Sequence, residues 1–239
     1  AIPALAGLVL LSLGIGLAGG FVWDDRPLIV ESARVKDIAR LSEVFTTGFW
    51  ETADSHDRFR AFFRPLVSGS YALDHAVWGL TPFGFHLTNL LLHLACTLLV
   101  LRIARDAGLG SRAAFCGAAL FAVHPVHVES VSWISGRTDL LATLFLLASF
   151  VALTRGGEHR GWRWASWALF LAALFSKEAA APLPAIVFIA VSMFSGTLLA
   201  TVRQRNINHE TAVAAQAIRS AIERMRNEDF RQLFALFNA

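Results

Sequence analysis

The sequence predicts an all-α integral membrane protein, a polytopic helical bundle of about six spans. Three observations carry that reading. Of 239 residues, 55% are hydrophobic and only 16% are charged, where soluble domains carry about 25% charged residues. Mean hydropathy is +0.53. Apolar runs also recur at lengths near the roughly 20 residues that a helix needs to cross the hydrocarbon core.

The first run covers 2–22 and ends at Trp23. No basic segment precedes it and no small-x-small cleavage site follows it, so it reads as a span and not as a cleaved signal. The next runs are 84–101, 113–126, 131–153, 164–175 and 183–201. The third and fifth spans are short and need flanking residues or a thinner bilayer. Between the first two spans lies 23–83, with seven basic and nine acidic residues. Within it, 36–47 predicts an amphipathic helix with Ile38, Leu41, Val44 and Phe45 on one face. Residues 67–80 predict another, and both suit a membrane surface. Thr81-Pro82 ends the second. The tail, 202–239, repeats Ile218, Ile222 and Met225 at helical spacing and reads as a cytoplasmic amphipathic helix. The domains expected are thus a membrane region over 1–201 and this tail.

Loop charges orient the bundle. Arg102, Arg105 and Arg112 follow the second span, Arg155, Arg160 and Arg163 the fourth, and Arg203 and Arg205 the sixth. Arginine-rich short loops stay in the cytoplasm. Segment 23–83, the His124-Pro-Val-His127 turn and Ser176-Lys-Glu178 then face the periplasm or lumen. The basic balance, with a pI near 9.4, follows from this topology and does not call for nucleic acid. Cys96 and Cys116 fall inside spans and read as packing residues.

The outer side gathers the polar residues. Asp24 and Asp25 directly follow the first span, and Arg64 precedes the second surface helix. His124, His127 and Glu129 lie between the third and fourth spans. Arg137 and Asp139 sit on the fourth, and Lys177 and Glu178 follow the fifth. Charge within a bilayer costs about 2.5–3.5 kcal/mol per residue on insertion scales, so such residues are functional suspects. Arg137 and Asp139 are two apart, about 200° around a helix, so each needs its own partner. A carboxylate can take a proton from a hydroxyl nucleophile, and Arg or Lys can hold a phosphate and the charge of a leaving group. Together they suggest sugar transfer from a lipid-linked phosphate, with Asp24 and Asp25 catalytic. Arg64, Arg137 and Lys177 are the candidate phosphate contacts, and His124, His127, Glu129, Asp139 and Glu178 the supporting polar groups. No cofactor is called for. A divalent metal at His124-x-x-His127-x-Glu129 is the competing reading, which the intervening Pro125 weakens by breaking regular helix.

Longer strings carry a resemblance. Phe21-Val-Trp-Asp-Asp-Arg26, Phe63-Arg-Pro-Leu66, Ser70-Tyr-Ala-Leu-Asp74, Trp78-Gly-Leu-Thr-Pro-Phe-Gly84, His86-Leu-Thr-Asn-Leu-Leu-Leu-His93, His124-Pro-Val-His-Val-Glu-Ser-Val131, Ser135-Gly-Arg-Thr-Asp-Leu140 and Ser176-Lys-Glu178 resemble the transmembrane and tetratricopeptide-repeat-containing O-mannosyltransferases and their bacterial relatives. The resemblance covers about residues 15–195. It implies a GT-C class fold with its active face outward, in a bacterial inner membrane or the endoplasmic reticulum. It also implies a polyprenyl- or dolichyl-phosphate mannose donor, a protein or glycan acceptor, and an acidic catalytic motif at Asp24-Asp25. Such enzymes carry more spans and long repeat arrays, so the chain reads as an N-terminal portion. A non-catalytic membrane scaffold, or a small transporter using Arg137 and Asp139, are the alternatives.

Overall fold

A computed structural model describes residues 1–50, 62–155 and 159–182, together with 210–224 and scattered neighbours in the final stretch. It divides into two compact units, Ala1–Ala181 and Pro182–Ala239. Among the described residues every regular element is helical.

In the first unit, α1 (Ile2–Leu13) opens with Pro3 in its first turn, where a missing N–H costs nothing. A 3₁₀ turn, Gly14–Ala18, continues it. A single π-helical turn, Arg26–Val30, follows the acidic pair. Then come α2 (Ala33–Lys36), started by Ser32 whose side chain accepts from Val35 N, and a 3₁₀ helix, Ile38–Phe45. The amphipathic segment expected over 36–47 is therefore not one α-helix. Asp37 caps the Ala39 N–H and restarts the chain there. The expected second surface helix is α3 (Pro65–Trp78). It buries Val67 and Tyr71 completely and leaves Leu73 and Val77 exposed.

The long helix α4 (Pro82–Asp106) starts behind Pro82. Gly84 admits the Trp78 ring, which an added Cβ would overlap. This close approach sets the sharp junction between α3 and α4. Next are α5 (Ser111–Val123), α6 (Val128–Ser132), α7 (Arg137–Thr154) and α8 (Arg160–Leu174). Ser149 and Ser166 exchange hydrogen bonds between α7 and α8. Each hydroxyl donates to the other's carbonyl, at 2.9 and 3.0 Å. Such pairs hold helices together where apolar burial offers no drive.

About six spans were expected, and the described residues contain fewer. The 25-residue α4 and the 21-residue stretch Ile134–Thr154 are long and apolar enough to cross a bilayer. A third span results if Ser111–Val123 and Pro125–Ser132, bent by 44°, cross as one. The first run yields a shorter apolar helix, Ile2–Ala18, because its glycine-rich end tightens into 3₁₀. The fifth yields the 15-residue α8, about 22 Å long against a core of about 30 Å. The sixth, 183–201, lies outside the described residues.

Three apolar clusters form the core. Leu5, Leu101, Ala114 and Ala118 join α1, α4 and α5. Val9, Leu13, Leu90, Ala122, Val131 and Leu140 continue upward. The third contains Leu28, Ile29, Val35, Phe49, Val67, Tyr71, Phe85, Ile134 and Leu141. It packs the described part of the segment between α1 and α4 onto the ends of α4 and α7, so that segment is part of the bundle's core. Cys96 is buried and Cys116 exposed, both as free thiols. In the second unit, residues 210–224 are helical, with Val213, Ile218 and Ile222 exposed.

Candidate active site

The acidic pair sits in a tight turn closed by Asp25 N donating to Val22 O at 2.9 Å and Arg26 N to Trp23 O at 3.2 Å. This turn gives its two carboxylates different surroundings. Asp25 is fully buried. One oxygen accepts from Val22 N at 3.0 Å, and the other from Ser135 N at 2.9 Å and Ser135 Oγ at 2.5 Å. Three donors satisfy it, so it ties the first loop to the start of α7. Asp24 is partly exposed and lines a cavity of about 220 Å³.

The cavity walls come from Asp24 and Leu28; Phe49 and Trp50; Arg64; Glu129, Ser130, Trp133, Ser135, Gly136, Thr138 and Asp139; and Lys177. Chain segments far apart in sequence thus place Asp24, Glu129, Asp139, Arg64 and Lys177 around one space. Both cations are engaged. Arg64 forms a two-pronged pair with Glu178, at 3.1 and 2.7 Å, and its guanidinium lies 4.7 Å from the Phe62 ring centre. Lys177 Nζ lies 2.5 Å from Asp139 Oδ1. Neighbouring residues Lys177 and Glu178 therefore strap the end of α8 to the starts of α7 and α3.

The hydrogen bond from Arg64 is the main reason the Glu178 carboxyl titrates below the ordinary carboxylate range, with burial opposing it. A depressed folded pKa adds stability at neutral pH that is lost as pH falls through the folded value. The thermal midpoint of the wild type is expected to exceed that of Glu178→Gln at pH 7. The gap should close on acidification below the ordinary carboxylate range. Parallel melting curves across pH check this, and a gap independent of pH contradicts the pairing.

Arg137 does not line the cavity. Its side chain is fully buried. Nη2 lies 2.6 Å from Asp74 Oδ2 and donates to Phe85 O at 2.8 Å. Nε donates to Asn89 Oδ1 at 2.8 Å, and Nη1 donates to Ser70 Oγ at 3.3 Å. The Tyr71 ring centre is 4.8 Å away. Arg137, expected as a phosphate contact, is instead held in an internal network, fully buried and engaged by Asp74, Phe85 O, Asn89 and Ser70. The network still shapes the site. Asn89 Nδ2 donates to Trp133 O at 3.1 Å and Ile134 O at 3.3 Å, and Tyr71 OH donates to Ile134 O at 3.3 Å. These bonds hold the segment from which Ser135 grips Asp25.

The histidines split from the site. His124 Nδ1 accepts from Val126 N at 3.2 Å and caps its own turn. His127 packs against Phe121, with ring centres 4.4 Å apart, and against His93 at 5.0 Å. Among the described residues no cluster of three His, Cys, Asp or Glu side chains could hold a metal ion. Glu129 does line the cavity.

Several contributors were missed by charge-based reading. Ser135, Trp133 and Trp50 carry no charge, and Asp74 and Asn89 were not among the polar groups singled out. The strings Ser70-Tyr-Ala-Leu-Asp74, His86-Leu-Thr-Asn-Leu-Leu-Leu-His93 and Ser135-Gly-Arg-Thr-Asp-Leu140 held the sequence signal for three of them. Gly136 in the last string packs against the α6 backbone. An added Cβ would lie 2.8 Å from Ser130 Cα and 3.0 Å from Glu129 O. Gly136→Ala is expected to push these walls apart and cost about 1–3 kcal/mol, read as a lower thermal midpoint in detergent.

Fold and site together describe a helical membrane protein in which Asp24, a carboxylate without a side-chain partner among the described residues, shares one cavity with two cations. The chain is a sequence relative of the protein O-mannosyl-transferases that its motifs resemble. It is 36% identical to Protein O-mannosyl-transferase Tmtc2 of Drosophila melanogaster over 173 residues, 69% of this chain and 18% of that protein. It is 37% identical to human TMTC1 over 153 residues, 63% of this chain and 17% of that protein. With human TMTC3 the figures are 31% over 154 residues, 64% and 17%. The chain thus spans under a quarter of the length of these relatives. No family model and no solved structure matches.

Proposed function

We propose that this chain carries the acidic side of a sugar-transfer site, moving mannose from a polyprenyl- or dolichyl-phosphate donor to a protein hydroxyl. The observation that carries the reading is the cavity in which Asp24, with no hydrogen-bond or ion-pair partner for its carboxylate among the described residues, shares walls with Arg64 and Lys177. The sequence relatives, named as protein O-mannosyl-transferases, supply the class.

The geometry supports one division of labour. Asp24 takes the proton of the acceptor hydroxyl. The acceptor oxygen then attacks the anomeric carbon from the side opposite the phosphate. The bond from that carbon to the phosphate oxygen breaks, and lipid phosphate leaves with inverted configuration in the product. Arg64 and Lys177 stabilise the departing charge, displacing Glu178 and Asp139. Asp25 positions the turn and takes no proton. The loop charges support an outward or lumenal active face.

Membranes containing the protein, incubated with labelled polyprenyl-phosphate mannose and a Ser/Thr-containing acceptor protein, should transfer label. Arg64→Ala/Lys177→Ala double substitution should abolish transfer. Unchanged transfer by the double variant overturns the phosphate assignment, and absence of transfer by the wild type overturns the reading.

A further inference from the structure

We propose that Trp133, braced by Trp23, seats the donor's sugar ring, with its indole N–H donating to a sugar hydroxyl. The inference rests on the sugar-transfer reading above and adds the subsite for the sugar itself.

Three observations converge. Trp133 lines the cavity that holds Asp24. Its Nε1 is buried and has no acceptor among the described residues. A buried donor left unmade is costly, and native proteins keep few of them. The second observation is Trp23, which directly precedes the acidic pair. It is the one non-glycine residue at positive φ among the described residues, at +43°. Such backbone is strained in a bulky residue and persists where the surroundings impose it. Here Asp25 imposes it by bonding Val22 N on one side and Ser135 on the other. The third is the product of that strain. The Trp23 indole, 82% exposed, meets Trp133 edge to face, with ring centres 6.2 Å apart and planes at 82°.

This wall suits a pyranose better than the donor's other parts. A sugar ring has a patch of C–H groups that packs on an aromatic surface and a rim of hydroxyls that needs polar partners. The cavity supplies both, with Trp133 and Trp50 beside Asp24, Glu129, Ser130 and Thr138. The phosphate belongs with Arg64 and Lys177. At about 220 Å³ the cavity is smaller than the about 300–1,000 Å³ of drug-sized sites, the scale of one monosaccharide. A site built to bond a sugar hydroxyl discriminates strongly against a ligand that lacks it.

The test compares two ligands on the full chain in nanodiscs, polyprenyl-phosphate mannose and sugar-free polyprenyl phosphate. Trp133→Phe keeps a ring and removes the N–H. It should weaken binding of the mannose donor about tenfold, the scale of one hydrogen bond, and leave sugar-free binding unchanged. Trp23→Gly relieves the positive φ and removes the brace, and should show the same selective loss. Thermal midpoints report whether each variant folds. Equal effects on both ligands, or none on either, overturn the sugar seat. Equal wild-type affinity for the two ligands overturns it as well, with the phosphate site intact. Wild-type binding of neither ligand overturns the sugar-transfer reading and this inference together.

Discussion

Arg137→Met is expected to destabilise the chain by about 3–5 kcal/mol, the largest single-residue effect in the described structure. Removing one partner of a buried ion pair leaves the other uncompensated. Here the orphan is Asp74, mostly buried, whose remaining bond is from Thr88 Oγ1 at 2.8 Å. Asn89 and the Phe85 carbonyl also lose a partner. Because Asn89 also holds the Trp133 and Ile134 carbonyls, the damage should reach the cavity wall. Thermal unfolding in detergent reads the loss. Arg137→Met/Asp74→Leu should recover much of it, since an apolar replacement of a whole pair is often neutral or better. A single variant as stable as the wild type contradicts the network.

Asp24→Asn and Asp25→Asn are expected to fail in different ways. Asp24→Asn should lower transfer by about 10²–10⁴-fold, the usual worth of a positioned acid or base, with the thermal midpoint preserved. Asp24 lines the cavity and its carboxylate holds nothing in place. Asp25→Asn should lower the midpoint, because its amide can keep the Ser135 contacts and must then turn NH₂ toward the Val22 N–H. Losing one buried hydrogen bond and opposing two donors costs about 1–3 kcal/mol. Transfer assays paired with melting curves separate the two. Normal turnover by Asp24→Asn would remove it as the base.

Two of the expected spans were legible because hydropathy is additive along a chain. The run at 84–101 became α4, extended to Pro82 and Asp106, and the run at 131–153 became the Ile134–Thr154 stretch. The length of the first run misled, since apolar composition counts glycines that end a helix in a 3₁₀ turn. The 36–47 segment misled for a related reason. Its apolar spacing suits a helix, yet Asp37 caps a new start inside it.

Charge was legible too, and its destinations were not. Helical geometry alone separated Arg137 from Asp139, and the structure gives one Asp74 and the other Lys177. Nothing in a linear sequence distinguishes an arginine engaged by an internal network from one that opens on a cavity. The same limit hid the difference between Asp24 and Asp25. They are adjacent, alike and equally placed after a span, and only the turn at Trp23 sends one to Ser135 and the other to the cavity.

The sequence by itself determined the class of environment, the helical architecture and the family resemblance. All three depend on composition, periodicity and local strings, which are properties of neighbouring residues. Tertiary structure alone decided which charges share a cavity, which are consumed in the core and which indole N–H is left without a partner. Those outcomes depend on contacts such as Asp25 with Ser135, 110 positions apart, and Arg64 with Glu178, 114 apart. Separations of that size are closed by packing, because burying the cluster around Tyr71, Phe85 and Ile134 brings the segment between α1 and α4 onto the helix ends.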